Sequence, residues 1–119
     1  MNVTELTKVQ QIGDTYGYEA QREMLVEECA ELIQAVQKLK RADESGDAEK
    51  VDKATSAYLE EMADVSIMLE QMRNMLTPRL TRELDSYITM KLDRQIERIE
   101  QAKKKEKEQY EQWRRGVQA

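Results

Sequence analysis

The sequence predicts an all-α fold, an antiparallel helical bundle around a central two-helix hairpin that is completed by oligomerisation. Residues that favour helices fill the long segments of the 119-residue chain, which contains only one Pro and four Gly. Apolar residues recur at spacings of three and four, which is the period of a helix. Charged residues make up 36% of the chain and Phe is absent, so one copy would have a thin core and burial against a second copy is expected.

The first two helices are bounded by capping and breaking residues. Asn2 and Glu5 have the spacing of a capping box, which predicts a short helix from there to about Ile12. Two Gly residues within 13–17 are expected to break it. A long second helix is predicted over residues 18–42.

The second half of the chain follows the same logic. Residues 43–47 form a turn-rich connection, and a third helix is predicted over 48–76. A Thr-Pro pair then predicts a fourth helix beginning at Pro78. The domain is expected to span 1–100, and residues 101–119 to form a charged, solvated and partly frayed helical tail. A swapped arm that packs on a partner subunit is the alternative for this tail.

Charge and composition exclude several classes of function. The net charge is −5, divided into −8 over residues 1–90 and +3 over residues 91–119. An acidic body would repel the phosphates of a nucleic acid, so no nucleic-acid partner is expected. No apolar run approaches the ~20 residues of a membrane span, and residues 1–12 lack the pattern of a signal peptide. With a single Cys29, which excludes an internal disulfide, these observations favour a cytoplasmic protein.

An internal repeat carries the clearest functional signal. The segment EECAEL at 27–32 reappears 33 residues later as EEMADV at 60–65. Because acids three residues apart share one side of a helix, two such pairs would meet across an antiparallel hairpin. The four acids at the repeated positions are Glu28, Glu31, Glu61 and Asp64. Helical angles place them beside apolar seams that run from Leu25 to Leu39 and from Tyr58 to Met72.

Four carboxylates in one place require a counter-charge. Each close pair would repel by ~3 kcal/mol at an effective dielectric constant of ~20. Oxygen ligands suit Mg²⁺, or alternatively Mn²⁺. The chain contains no His, which removes the di-iron bundle, zinc sites with His ligands and nucleophiles activated by His. What remains is magnesium-assisted hydrolysis of a phosphate ester or anhydride.

The two acid pairs resemble the E-x-x-E…E-x-x-D signature of the MazG-like superfamily. Its members are all-α nucleoside triphosphate pyrophosphohydrolases, related to dimeric dUTPases, dCTPases and phosphoribosyl-ATP pyrophosphatases. The resemblance covers about residues 10–98 and includes Tyr16, Gly17, Gln21 and Leu25 before the first acid pair. It implies Mg²⁺-dependent hydrolysis of a nucleoside or deoxynucleoside triphosphate to the monophosphate and pyrophosphate, by a homodimer or homotetramer.

The resemblance also implies roles for individual residues. The four repeated acids would hold the metal, and Glu27, together with Glu28, would be a catalytic carboxylate. Because Glu27 points away from the seam, it can equally well be interpreted as an acid exposed to solvent. The expected substrate contacts are Gln21, Lys38, Lys91 and Arg94.

Two alternatives remain at this point. The first is a non-catalytic, oligomeric helical interaction module in which the carboxylates are merely tolerated. The second is a pyrophosphatase of the same fold that acts on phosphoribosyl-ATP.

Overall fold

The chain is all-helical. A computed structural model describes residues 1–118, and within them four α-helices and no strand are present. The helices are α1 (Val3–Tyr16), α2 (Tyr18–Ser45), α3 (Ala48–Asn74) and α4 (Pro78–Gln118). The all-α prediction is therefore confirmed.

Local signals set the starts of α1 and α4 where the sequence predicted them. The Asn2 side chain accepts from the Glu5 backbone N–H at 2.8 Å, and the Glu5 carboxylate accepts from the Asn2 N–H at 3.0 Å, which completes the capping box. The Thr77 hydroxyl accepts from the Leu80 N–H at 3.3 Å, and Pro78 is the first residue of α4. Each cap satisfies backbone donors that the first turn of a helix leaves without partners.

The predicted break at residues 13–17 is wrong for most of its length. α1 continues to Tyr16, and only Gly17, with φ of 85°, ends it. Gly13 is buried, and a Cβ on it would lie 3.3 Å from the terminal methyl carbon of Met75. Its lack of a side chain thus permits close packing of α1 rather than a turn.

The chain divides into two compact units, Met1–Leu76 and a second unit that begins at Thr77. In the first unit α2 and α3 form a hairpin, and α1 packs mainly against α3. The second unit consists of α4, whose 41 residues correspond to ~60 Å of helix. The domain boundary expected after residue 100 falls within this continuous helix.

The buried residues of the hairpin coincide with the predicted seams only in part, since Val65 of the α3 seam is buried but most buried positions lie elsewhere. On α2 the buried positions are Gln21, Ala35 and Ala42, which are spaced by multiples of seven. Val36 and Leu69 of the predicted seams are 44% and 54% exposed. Small Ala side chains thus lie on this line, and larger apolar side chains of the predicted seams are left exposed beside it.

Candidate metal centre

A two-residue connection fixes the hairpin that carries the acids. Gly46 ends α2 in the left-handed region, with φ of 69°, which costs a residue without Cβ little. Asp47 then caps α3, because its carboxylate accepts from the backbone N–H groups of Glu49 at 3.0 Å and Lys50 at 3.3 Å. α2 and α3 are therefore antiparallel, and the two repeated segments run past one another in opposite directions.

This arrangement brings the four repeated acids together. One carboxylate oxygen from each residue lies within 4.8 Å of the others. The order is reversed across the hairpin, so that the charge of Asp64 acts on Glu28, and that of Glu31 on Glu61. The cluster could hold a metal ion, as the register of the repeat predicted.

Two of the acids lie inside the helix–helix contact rather than beside it. Glu28 falls seven residues after buried Gln21 and seven before buried Ala35, and is itself half-buried. Glu61 occupies the matching position on α3, seven residues before buried Met68. The expectation that the acids lie beside the buried seam is therefore refined: Glu28 and Glu61 share the line of the buried residues, whereas Glu31 and Asp64 are exposed.

The buried carboxylate oxygens of this pair lack partners. Oε2 of Glu28 and Oε2 of Glu61 are inaccessible to solvent, and neither has a hydrogen-bond partner among residues 1–118. Glu31 and Asp64 are exposed. Because a buried carboxylate oxygen without a donor loses its hydration, a cationic or proton-donating group beside these oxygens would compensate the cost of their burial.

Electrostatics follow from this burial. Burial raises the pKa of Glu28 above its ordinary value of 4.5, and the negative charges of Asp64 and Glu31 raise it further. Burial likewise raises the pKa of Glu61, with the largest additional contribution from Glu31. In both cases burial and neighbouring negative charge disfavour the ionised carboxylate.

The remaining predicted site residues are distributed over both units. Glu27 is exposed on α2, outside the acid cluster, and Gln21 is only 5% exposed, so a substrate would reach little of its side chain. Lys38 lines a groove that begins at the acid cluster. Lys91 and Arg94 are exposed on α4, in the second unit.

A groove between α2 and α3 extends from the acids towards the hairpin connection. It has a volume of about 570 Å³, and Glu31 and Glu61 are part of its lining. Four cations also line it, namely Lys38, Arg41, Lys50 and Lys53. Of these cations, only Lys38 was predicted from the sequence. Helical angles carry a signal for Lys50 as well: Lys38 follows Glu31 by seven residues and Lys50 precedes Glu61 by eleven, so each points within ~20° of the direction of its acid.

Comparison with known proteins adds no further constraint. The chain matches no protein-family model, no curated protein and no solved structure. Within the described part of the chain, none of the helices is both long enough and apolar enough to cross a membrane.

Proposed function

We propose that the protein is a Mg²⁺-dependent nucleotide pyrophosphohydrolase that converts a nucleoside or deoxynucleoside triphosphate to the monophosphate and pyrophosphate. The observation that carries the proposal is the acid cluster, in which four carboxylates meet within 4.8 Å and two of them bury an oxygen that lacks a hydrogen-bond partner. Resemblance of the two acid pairs to the MazG-like signature supports the same reaction.

The donor set fits a hard divalent cation. All four candidate ligands are carboxylates, and oxygen ligands suit Mg²⁺ and Mn²⁺. The unpartnered Oε2 atoms of Glu28 and Glu61 are a second, independent reason, because a cation would compensate the burial that raises the pKa of these carboxyl groups. Glu31 and Asp64 would complete the ligand set from the solvent side.

The chain's own residues would divide the remaining work. A bound Mg²⁺ supplies neutralisation of phosphate charge and a lower pKa for a coordinated water. Glu27, one helical turn before Glu31 and open to solvent, would accept the proton of the water that attacks phosphorus. The bond between the attacked phosphorus and the bridging oxygen breaks, and pyrophosphate leaves with that oxygen. Lys91 and Arg94 are proposed to contact the phosphates.

We propose further that two or four copies complete a helical bundle. Large apolar side chains are exposed on the hairpin and along α4, and they are at least a third accessible in a single chain. Four of those on α4 form a stripe at helical spacing: Ile88, Leu92, Ile96 and Ile99. Covering such stripes with the same surfaces of a second copy would remove them from water. Sedimentation equilibrium would give the number of copies.

The exposed stripe on α4 also favours a second candidate, a non-catalytic helical interaction module. Such a module has no use for buried carboxylates, so its melting temperature should be indifferent to Mg²⁺ at constant ionic strength. A rise in melting temperature on addition of Mg²⁺ would contradict the module and support the metal site.

Pyrophosphate release from a panel of eight NTPs and dNTPs, with Mg²⁺ and with EDTA, tests the proposed reaction. Metal-dependent release is expected, and Glu31→Gln and Asp64→Asn should abolish it without loss of helicity. Glu23→Gln is the matched control, because it removes one negative charge from exposed α2 surface outside the cluster. Unchanged hydrolysis in either cluster variant would refute the metal assignment. If no nucleotide of the panel releases pyrophosphate, phosphoribosyl-ATP is the next substrate for the same assay.

A further inference from the structure

Charges are segregated around the hairpin connection. Residues 38–53 contain five cationic and five acidic side chains, so this stretch is neutral overall. Four of the five cations line the groove between α2 and α3, and none of the five acids does. The fifth cation, Lys40, lies between two groove residues in sequence but outside the lining. A neutral stretch of surface thus presents a concentrated positive charge to the groove alone.

The groove has room for a ligand because most of its other lining residues are small, with Gln34 as the exception. Ala35 and Ala42 contribute from α2, and Ala54 and Ala57 from α3. Alanine leaves space between the helices that longer side chains would fill.

The cations are available to a ligand. Lys38, Arg41, Lys50 and Lys53 are all exposed, and their side chains form no ion pair or hydrogen bond with any residue of the described range 1–118. An anion that enters the groove would therefore not have to displace an internal carboxylate.

We propose that this groove binds the phosphate chain of the substrate, with the phosphates beyond the cleaved bond directed towards the hairpin connection. The inference rests on the proposed function, because it takes the acid cluster as the place of cleavage. Along α2, Lys38 and Arg41 lie ~10 Å and ~15 Å from Glu31; along α3, Lys53 and Lys50 lie ~12 Å and ~17 Å from Glu61. Long side chains from both helices therefore converge on the space next to the acids.

The chemistry of the lining favours a compact polyphosphate. Two cations from each helix face a narrow space, and the Arg41 guanidinium offers donors in the fork geometry that matches phosphate oxygens. A nucleic acid is a poorer fit, because the groove ends at Glu31 and Glu61 of the acid cluster and the chain as a whole is acidic. The same groove would hold pyrophosphate after cleavage, so inorganic pyrophosphate is expected to inhibit competitively.

Calorimetric titration of metal-stripped protein with inorganic triphosphate at low ionic strength tests the groove without hydrolysis. The wild type should bind, and the double variant Lys50→Gln/Lys53→Gln should bind at least tenfold more weakly. Lys40→Gln is the control, since it removes a cation next to the groove, and its affinity should stay within twofold of the wild type. All changed residues are exposed, and circular dichroism would verify the fold.

Two results would overturn the groove assignment: no binding by the wild type, or equal affinity in the wild type and the double variant. Either result would leave metal-dependent hydrolysis, and hence the proposed function, standing if the nucleotide panel shows it. Conversely, triphosphate binding that depends on Lys50 and Lys53 in a protein without hydrolytic activity would support the groove and refute only the proposed reaction.

Discussion

Replacing Glu28 by Gln should make the metal-free protein more stable. The substitution keeps the shape of a side chain that lies within the contact between α2 and α3, and removes its negative charge. It also places an amide where a buried carboxylate oxygen has no hydrogen-bond partner among the described residues. Both effects should raise the free energy of unfolding, because burial and the acidic neighbours disfavour the charge of Glu28.

The magnitude follows from the spacing of the cluster. Two unit charges 4.8 Å apart repel by ~0.9 kcal/mol at the dielectric constant of water and by ~3.5 kcal/mol at a value of ~20. Glu31 and Asp64 are exposed, so the screened value applies, and exposed charge pairs contribute ~0.2–1 kcal/mol each. Relief of the repulsion with these two neighbours alone would stabilise the protein by about 1 kcal/mol, or ~4–8 °C in Tm for a unit of this size.

Differential scanning calorimetry in chelator and in Mg²⁺ would measure the effect. In chelator, Glu28→Gln should melt above the wild type, whereas the control Glu23→Gln should melt close to it. In Mg²⁺ the wild type should melt above Glu28→Gln, because the wild type gains the free energy of metal binding and the variant has lost a ligand. A lower Tm of Glu28→Gln in chelator, or an equal Mg²⁺ response in all three proteins, would refute the electrostatic reasoning.

Three further predictions follow from the same hairpin. The folded protein binds protons at Glu28 and Glu61 more tightly than the unfolded chain, because the pKa values of both groups are raised. The unfolding free energy of the metal-free protein should therefore fall as pH rises above 4.5. Urea titrations from about pH 4 to 8 would measure this fall, and a rise over the same range would contradict the raised pKa values. Asp47→Ala should destabilise the protein by about 1 kcal/mol through loss of the α3 cap. Asp47→Asn is the control, because it keeps a hydrogen-bond acceptor. Equal Tm values for Asp47→Ala and the wild type would show that the cap does not contribute to stability. Gly46→Ala should lower the free energy of unfolding in chemical denaturation by ~1–2 kcal/mol because of its left-handed backbone, and an unchanged free energy would contradict this strain.

The hairpin and its acid cluster could be predicted because both depend on periodicity. A repeat offset by 33 residues places Glu28 and Glu61 at the same helical angle, and a short connection makes the helices antiparallel. The local caps at Asn2 and Thr77 were predictable for a different reason, since each depends on neighbouring residues only.

What the sequence did not predict depends on packing between helices. Gly13 looks like a helix breaker in isolation, and only the approach of Met75 explains why α1 continues through it. The line of buried residues on α2 passes through small and polar residues such as Ala35, which a search for large apolar side chains overlooks. Arg41 looks like ordinary charged surface until Ala side chains on both helices open a groove beside it.

The repeated segments on antiparallel helices give the acid cluster a local two-fold symmetry. Glu28 corresponds to Glu61, both half-buried with an unpartnered oxygen, and Glu31 corresponds to Asp64, both exposed. A nucleoside triphosphate has two different ends, yet a symmetric set of ligands holds it equally well in either direction. The orientation of the substrate must therefore be decided outside the cluster. In the proposed arrangement, the cations on the side of the hairpin connection break the symmetry and select the end with the greater negative charge.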